Sequence, residues 1–242
     1  VGWHLRSVAG RKRVTLELGG NAGAIVDADA EMEWAVRRTV LGSFAFAGQI
    51  CISVQRLLVH DAVYAEFRDR FVDATKALEV GDPRDPSTIA GPVIDDGAAE
   101  RIVAWVDEAR AAGASVLTGG TREGRLVQPT VIEDAAPELK VSCEEVFGPV
   151  VVLDRFADFD EALSRVNASE YGLQAAVFSN DARRIRRAFE TLEVGGVIVN
   201  DYPMVRVDNF PYGGVKASGR GREGVRYAME EMTEPRVLVS RG

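Results

Sequence analysis

The sequence predicts an α/β fold with a mainly parallel sheet flanked by helices. Short apolar or β-branched runs alternate with amphipathic segments along almost the whole chain, which is the order typical of parallel sheets. The clearest helix lies near 61–78, where apolar residues recur at spacings of three or four. These residues are Val63, Phe67, Phe71, Ala74 and Leu78. Neither an internal repeat nor a low-complexity linker interrupts the pattern.

Each element follows from local signals. Predicted strands occupy 13–18, 24–27, 56–60, 114–118, 126–132, 150–156, 175–179, 196–200 and 235–240. The first of the predicted helices begins near Asp29 or Ala30, where acidic residues favour a helix start. The others occupy 61–78, 96–112, 158–168 and 222–231, and one more helix is capped by Asp181. The last strand, 235–240, follows Pro235 and stands apart from the alternation. We expect it to be an edge or arm strand that pairs with another subunit.

Composition excludes several classes of protein. The chain has 242 residues, 46% hydrophobic and 27% charged, with 29 basic and 37 acidic residues and a net charge of −8. An acidic balance does not attract nucleic acid or anionic membrane by bulk charge. No apolar run reaches the ~20 residues of a membrane span, and the first residues do not form a signal peptide.

Cysteine and histidine usage points to a reducing compartment and no metal site. Two cysteines do not make a disulfide framework, so a cytoplasmic protein is expected. His4 and His60 lie far apart and outside any ligand cluster. The chain opens without methionine and directly in a helical pattern, which suggests a segment of a longer protein.

Cys51 is the first candidate for chemistry. A lone cysteine is usually a small buried apolar residue. Here it follows Gly48-Gln49 at the end of a long amphipathic helix, where the backbone can come close to a bound group. A cysteine in that place can offer both its sulfur and its backbone N–H to a substrate carbonyl.

Glu17 is the second candidate. It lies inside an apolar strand that ends in Gly19-Gly20, and a buried carboxylate costs stability unless it is paired or used. A salt-bridged or solvent-facing residue is the simpler interpretation. Burial would raise its pKa towards neutrality, which suits a general base.

Four motifs in order resemble the aldehyde dehydrogenase superfamily. They are Leu-Glu-Leu-Gly-Gly at 16–20, Gly-Gln-x-Cys at 48–51, Glu-Glu-Val-Phe-Gly-Pro at 144–149, and Pro-Tyr-Gly-Gly-Val-Lys-Ala-Ser-Gly at 211–219. Cys51 and Glu17 are 34 positions apart. Val1-Gly2 followed by a helix is similar to the tail of the family's Gly-Ser-Thr-x-x-Gly motif. The resemblance covers essentially the whole chain and identifies it with the family's C-terminal catalytic half.

The resemblance implies the NAD(P)-dependent oxidation of an aldehyde to a carboxylate. Cys51 would attack the aldehyde carbon, and its backbone N–H with a side-chain amide would hold the oxyanion. Loss of hydride to NAD or NADP would leave a thioester, which water activated by Glu17 would hydrolyse. Glu17 would also help to deprotonate Cys51.

The resemblance also assigns binding residues and domain limits. Residues 1–18 would be the tail of the cofactor-binding domain, 19–231 the catalytic domain, and 232–242 a strand for assembly into a dimer or tetramer. The cofactor-binding residues would be Glu145, at the nicotinamide ribose, with Phe147, Leu18 and Gly19; the substrate would meet Asn200, Tyr212 and Arg206.

Parts of the family's site have no counterpart in the sequence. In the family the oxyanion amide, the lysine that binds the adenosine ribose and the main Rossmann strands lie further upstream. As a self-contained chain, the protein is therefore expected to bind NAD(P) poorly or not at all.

Three further sequence features bear on the candidate site. Residues 219–224 match Gly-x-Gly-x-x-Gly, but no strand directly precedes them and the chain ends too soon for the acidic ribose ligand, so they are interpreted as turn glycines. Cys143 is predicted to be a small buried residue. Arg206 is either a surface arginine paired with Asp208 or the group that holds an anionic substrate.

Two other functions remain open. One is a cofactor-independent thiol esterase that uses Cys51 alone, which would show ester turnover with a burst. The other is an inactive domain that only self-associates through its C-terminal strand, in which Cys51 would not react with iodoacetamide at neutral pH.

Overall fold

The computed structural model describes residues 1–242. Its strands are β1 (Leu16–Glu17), β2 (Ala22–Val26), β3 (Val54–His60), β4 (Ser115–Thr118), β5 (Arg122–Glu123), β6 (Leu126–Val127), β7 (Thr130–Glu133), β8 (Val150–Phe156), β9 (Tyr171–Gly172), β10 (Gln174–Phe178), β11 (Gly196–Val199), β12 (Val215–Lys216) and β13 (Gly219–Arg220). Its helices are α1 (Gly2–Val8), α2 (Met32–Phe44), α3 (Asp61–Lys76), α4 (Asp96–Ala111), α5 (Lys140–Cys143), α6 (Phe159–Asn167), α7 (Ala182–Thr191) and α8 (Val225–Met232), with a 3-10 turn at Ala45–Gly48.

Seven strands form the central sheet in the order β11-β10-β2-β3-β8-β7-β4. All neighbouring pairs are parallel except β4 with β7. The α2 crossover joins β2 to the neighbouring strand β3, as parallel pairing requires. The predicted α/β class with a mainly parallel sheet is confirmed.

Helices cover both faces of the sheet. On one face, α2 and α3 pack on alternate residues of the central strands, with Phe44, Phe67 and Phe71 fully buried between them. On the other face, α4 packs against β7 and β8, while α6 and α7 cover β2 and β10. The alternation of inward and outward side chains along each strand divides the apolar residues between these layers.

Most predicted helices begin and end within three residues of their expected limits, and Asp181 caps α7 as predicted, accepting from the backbone N–H of Arg183 at 2.7 Å. α2 starts at Met32 rather than near Asp29. Asp29 does not cap a helix because its carboxylate accepts from the Ser179 hydroxyl and the Asn180 backbone N–H, at 2.9 and 3.0 Å. Glu31 caps α2 instead.

Two of the predicted strands form only in part. The predicted strand 126–132 is broken at Pro129, which has no N–H to donate, so β6 pairs with β5 and β7 joins the central sheet. Only residues 16–17 of the predicted strand 13–18 pair, antiparallel with β13. That pairing brings a segment near the C-terminus against the start of the chain.

The predicted strand 235–240 does not form within the chain. Residues 233–242 have no regular secondary structure and are exposed, because no strand of the same chain lies beside them. None of the helices combines the length and apolar character needed to span a membrane.

Candidate active site

Cys51 lies in the turn that joins the end of α2 to β3. Phe46, Ala47 and Gly48 all have left-handed backbone, with φ of 53°, 55° and 68°. A Cβ on Gly48 would collide with the Gly148 carbonyl, so glycine is required for this close backbone approach. The turn leaves Cys51 half-buried next to a central strand. The Cys51 backbone N–H makes no hydrogen bond within the chain and remains free to donate.

Tyr212 is the nearest polar partner of Cys51. Its hydroxyl lies 3.3 Å from the Cys51 Sγ. Burial raises the pKa of Tyr212, and the contact with Cys51 and the charge of Glu17 raise it further. The phenol therefore keeps its proton and is able to donate to a Cys51 thiolate.

Glu17 is held in β1 by the pairing with β13, and its carboxylate is shielded from solvent. Neither carboxylate oxygen accepts a hydrogen bond. Burial, followed by the negative charge of Glu223, raises the pKa of Glu17 from 4.5 to about 7, although Arg222 and Arg206 oppose the shift. The structure thus provides the buried, near-neutral carboxyl group that the sequence predicted.

A glycine beside Tyr212 links the two candidate catalytic groups. A Cβ on Gly213 would lie only 2.8 Å from the Glu17 Oε1. The carboxylate can therefore approach the segment whose neighbouring tyrosine touches the thiol of Cys51. Glu17 and Cys51, 34 positions apart in sequence, therefore lie next to two consecutive residues, Gly213 and Tyr212.

Glu145 lies over the glycines that follow Glu17. Its Oε1 accepts from the Gly20 backbone N–H at 2.9 Å, while Oε2 makes no hydrogen bond within the chain. A Cβ on Gly19 would collide with this carboxylate. Burial raises the pKa of Glu145, and the Gly20 N–H and Arg101 oppose that shift.

Phe147 and Leu18 complete this side of the site. Phe147 is partly exposed and has left-handed backbone with φ 46°. Leu18 donates its N–H to the Ser218 carbonyl at 3.0 Å. A carboxylate with one free oxygen, an exposed aromatic ring and a glycine without a side chain suit the ribose and ring of a nicotinamide. The residues present therefore fit that end of NAD(P).

Arg206 has a different partner from the one the sequence suggested. Its guanidinium pairs with Glu223 at 2.5 Å instead of Asp208, and its Cζ lies 4.6 Å from the centre of the Tyr212 ring. Asp208 is close in sequence, but the bridge between Tyr212 and Glu223 brings the latter beside Arg206. Arg206 is partly exposed. Tyr212 contacts both the Arg206 guanidinium and the Cys51 sulfur.

Asn200 is not brought into this group. Its side-chain amide is used by Ser179, accepting from the backbone N–H at 3.0 Å and donating to the carbonyl at 3.1 Å. Its own carbonyl accepts from Trp34 Nε1 at 2.7 Å. These bonds fix the ends of β10 and β11, and none joins Asn200 to Cys51, Glu17 or Tyr212.

Cys143 is exposed, so its predicted burial is wrong. It ends the one-turn helix α5, which has too few residues to bury both of its sides. Partial burial and neighbouring carboxylates, Glu144 first among them, raise the pKa of the Cys143 thiol. That shift opposes thiolate formation and a nucleophilic role.

The glycines of 219–224 serve turns and close packing. Gly219 lies against the Leu16 carbonyl, where a Cβ would collide, and Gly221 has φ 87°. The segment pairs with β1 instead of following a strand of the central sheet.

Two buried amides that the sequence analysis missed stand behind Glu145. Gln55 and Asn21 bind the backbone of 141–146 through their side chains. A signal was present for Gln55, which with Arg56 is polar and lies between Val54 and the apolar residues Leu57, Leu58 and Val59 of β3. Asn21 directly follows the Gly-Gly pair.

Comparisons with known proteins show the family to which the chain belongs. A sequence model described as the aldehyde dehydrogenase family matches residues 1–238. The 3-sulfolactaldehyde dehydrogenase of Priestia aryabhattai is 47% identical over 239 residues, which are 99% of this chain and 50% of that protein. The chain belongs to the aldehyde dehydrogenase family, as its four motifs predicted.

Solved structures of the family superimpose closely. Aldehyde dehydrogenase 21 from Physcomitrella patens, determined in complex with the reaction product succinate, matches with a TM-score of 0.97 and 48% identity over 99% of this chain and 50% of that one. Glyceraldehyde-3-phosphate dehydrogenase GapN from Methanocaldococcus jannaschii, complexed with NADP, matches with a TM-score of 0.92 and 42% identity over 96% and 50%. The chain spans about half the length of the relatives it matches.

Proposed function

We propose that this chain supplies the nucleophile and the base for NAD(P)-dependent oxidation of an aldehyde to a carboxylate. The observation that carries the proposal is the grouping of Cys51, Tyr212 and Glu17. A half-buried thiol lies 3.3 Å from a phenol, and a carboxyl group with a pKa of about 7 and no hydrogen-bond partner lies beside the same segment. These are the groups that nucleophilic attack and water activation need.

Cys51 attacks the carbonyl carbon of the aldehyde and forms a thiohemiacetal. The developing oxyanion lies within reach of the Cys51 backbone N–H, which has no other acceptor in the chain. Tyr212 donates to the thiolate before attack and so stabilises the reactive form of the nucleophile. When bound, NAD(P)⁺ would supply the hydride acceptor for this adduct, and the oxidised adduct on Cys51 is a thioester.

Glu17 releases the product. As a carboxylate it removes a proton from water, and the resulting hydroxide attacks the thioester carbon and expels the Cys51 thiolate. A pKa of about 7 leaves a large fraction of Glu17 ionised at neutral pH and basic enough to take the proton. Neither carboxylate oxygen accepts a hydrogen bond within the chain, so both can accept from a water molecule once it is admitted to the site.

Glu145 and Phe147 hold the nicotinamide end of the cofactor in this proposal. The Oε2 of Glu145, which has no partner within the chain, would accept from ribose hydroxyls, and the exposed ring of Phe147 would pack beside the nicotinamide. Gly19 and the backbone of Leu18 allow the close approach.

The substrate class we propose is an aldehyde with a distal acidic group, held by Arg206. Arg206 stacks on Tyr212, the residue in contact with the nucleophile, and its ion pair with the partly exposed Glu223 can exchange for a substrate anion. The relatives described above act on 3-sulfolactaldehyde or glyceraldehyde 3-phosphate, or were determined with succinate. Each of these compounds carries an acidic group.

Assembly and location follow from the same reasoning. We propose that 232–242 pairs with a second copy of the chain, giving a dimer or tetramer, because this segment is exposed, apolar in part and without a partner of its own. Cys51 and Cys143 are both free thiols, which supports a cytoplasmic enzyme.

The test compares acidic and neutral aldehydes in the complete gene product that contains these residues. NAD(P)H formation is followed with succinic semialdehyde and with butanal for wild type, Arg206→Ala and the control Arg226→Ala, whose arginine is exposed on α8. Arg206→Ala should raise KM for the acidic aldehyde roughly tenfold or more and leave KM for butanal unchanged.

Three outcomes would contradict parts of the proposal. Equal effects of Arg206→Ala on both aldehydes would overturn the substrate class. Ester turnover without any NAD(P)-linked oxidation would favour the thiol esterase. An inert Cys51 towards iodoacetamide would leave only the self-associating domain.

A further inference from the structure

The backbone that carries Glu145 and Phe147 is held by side chains from other segments. Residues 144–149 lie between α5 and β8 and belong to neither a helix nor a strand. Backbone without regular structure has to find hydrogen-bond partners elsewhere. Here the partners are two buried amide side chains, and each belongs to one of the segments that carry the catalytic pair.

Gln55 makes three hydrogen bonds to this backbone. Its side-chain Nε2 donates to the carbonyls of Val141 and Glu144, at 3.0 and 2.6 Å, and its Oε1 accepts from the Val146 N–H at 2.9 Å. Gln55 is 5% exposed. It lies four positions after Cys51, at the start of β3, so the strand that follows the nucleophile also grips the residues on both sides of Glu145.

Asn21 makes the second grip. Its side-chain Nδ2 donates to the carbonyls of Ser142 and Glu144, at 3.1 and 3.0 Å, and it is 4% exposed. The amide is oriented by Arg56, which donates to the Asn21 Oδ1 and, at 3.1 Å, to its backbone carbonyl. The Glu144 carbonyl therefore accepts hydrogen bonds from both amides. This carbonyl belongs to the peptide bond that leads to Glu145.

The two grips fix the direction of the Glu145 side chain. The Glu144 carbonyl and the Val146 N–H are both held, and Arg101 donates to the Val146 carbonyl at 2.7 Å. Glu145 is thereby directed onto Gly20, the residue before Asn21. A satisfied buried amide network of this kind rigidifies what it binds.

We infer that Gln55 and Asn21 are positioning residues that hold Glu145 and Phe147 in the geometry needed for the cofactor. The inference rests on the proposed function, because it assigns a purpose to the placement of Glu145. It makes the nucleophile, base and cofactor segments one rigid unit. Neither amide touches the reacting atoms, so their loss should affect cofactor binding more than thiol chemistry.

The first measurement follows the backbone itself in this 242-residue chain. Hydrogen exchange of peptides that cover 144–147 is compared for wild type, Gln55→Ala and Gln55→Met, the latter preserving the length of the side chain. Both variants should exchange roughly tenfold faster in this segment, the effect of losing a buried hydrogen bond. Peptides from α3 should be unchanged, which excludes global unfolding.

The second measurement uses the complete gene product. Gln55→Ala and Gln55→Met should raise KM for NAD(P)⁺ roughly tenfold, while acylation of Cys51 by p-nitrophenyl acetate stays within about twofold of wild type. The matched control is Asn167→Ala, which removes an amide bridging the Thr191 carbonyl and the Glu193 N–H, both at 2.8 Å, away from this segment.

Exchange and KM values equal to those of Asn167→Ala would overturn the inference, as would an equal loss of acylation and cofactor binding. A wild-type protein that oxidises no aldehyde would overturn the proposed function. The exchange comparison would still decide whether Gln55 holds the segment.

Discussion

Tyr212 connects the thiol of Cys51 to the rest of the site. Its hydroxyl contacts the Cys51 sulfur, its ring lies under Arg206, and its neighbour Gly213 faces Glu17. Burial, the contact with Cys51 and the charge of Glu17 raise the pKa of the phenol, so it keeps its proton and can donate. One side chain therefore links the proposed nucleophile, the proposed base and the proposed anion-binding arginine.

Replacing Tyr212 by Phe should slow the reaction of Cys51 with iodoacetamide at pH 7.5 by roughly tenfold. The lost hydrogen bond to a charged acceptor accounts for about 1.5 kcal/mol. The rate is measured from the mass of the alkylated chain, with Tyr227→Phe as the control because that tyrosine lies on α8. An unchanged rate would show that Tyr212 does not act on the thiolate.

Glu17 should make the chain less stable as the pH rises. Its folded pKa of about 7 exceeds its ordinary value of 4.5, so the folded state binds more protons than the unfolded state between these values. The contribution of Glu17 to the free energy of unfolding therefore falls as the pH rises from 4.5 to about 7. Glu17→Gln should raise the melting temperature relative to wild type more at pH 8 than at pH 5. Glu123→Gln, at an exposed position, should produce no such difference.

The sequence identified the candidate catalytic residues but not all of their partners. Cys51 and Glu17 could be found because each stands in a short motif with glycine, whose conformational role is local. The Arg206–Glu223 pair joins residues 17 positions apart and depends on the turn between them. Asn200 is the opposite case. The family resemblance placed it at the substrate, but the ends of two parallel strands bring it against Ser179, and its side chain forms hydrogen bonds there.

At the scale of elements, the turn at 45–48 determines where the thiol lies. Two non-glycine residues adopt left-handed backbone there, a strained arrangement that surrounding packing has to maintain. The support is backbone against backbone, with Gly48 on Gly148 and Gly20 on the Cys51 carbonyl. Glycines on three different segments therefore fix the position of Cys51.

Gly48→Ala should reduce the free energy of unfolding by about 3 kcal/mol or more, because the added methyl group meets the Gly148 carbonyl and the backbone is left-handed. Gly113→Ala is the matched control. Its φ is also positive, but nothing lies within 4 Å of the new Cβ, so a loss of about 1 kcal/mol is expected. Urea unfolding measures both, and equal losses would contradict the packing argument.

Long amphipathic elements were predictable, whereas short pairings were not. α3 and α4 follow from periodicity over a full helix, and β8 from a continuous apolar run, Val150–Leu153. The two-residue strands β1, β9, β12 and β13 carry too few residues for a period, and they form only when tertiary contacts bring them together. The same limit explains why 235–240, which has strand-like composition, remains unpaired in a single chain.

At the scale of the whole molecule, the exposed C-terminal segment is the proposed assembly surface. Val237, Leu238 and Val239 are all strongly exposed, and β11 is an edge strand of the central sheet. Such edges and apolar strands commonly pair with another chain. Deleting 235–242 should lower the mass of the particle in light scattering without changing its circular dichroism. A wild-type chain that is monomeric at all concentrations would contradict this assignment.

We propose that distant segments of the fold come together so that Cys51 acts as the nucleophile and Glu17 as the base. Trapping the acyl-enzyme with p-nitrophenyl acetate and mapping the acetyl group by mass spectrometry tests both roles at once. Acetyl-Cys51 should accumulate in Glu17→Gln, and wild type should release acetate with a rate that rises around pH 7. Acetylation of Cys143 instead, or equally fast deacylation in Glu17→Gln, would contradict it.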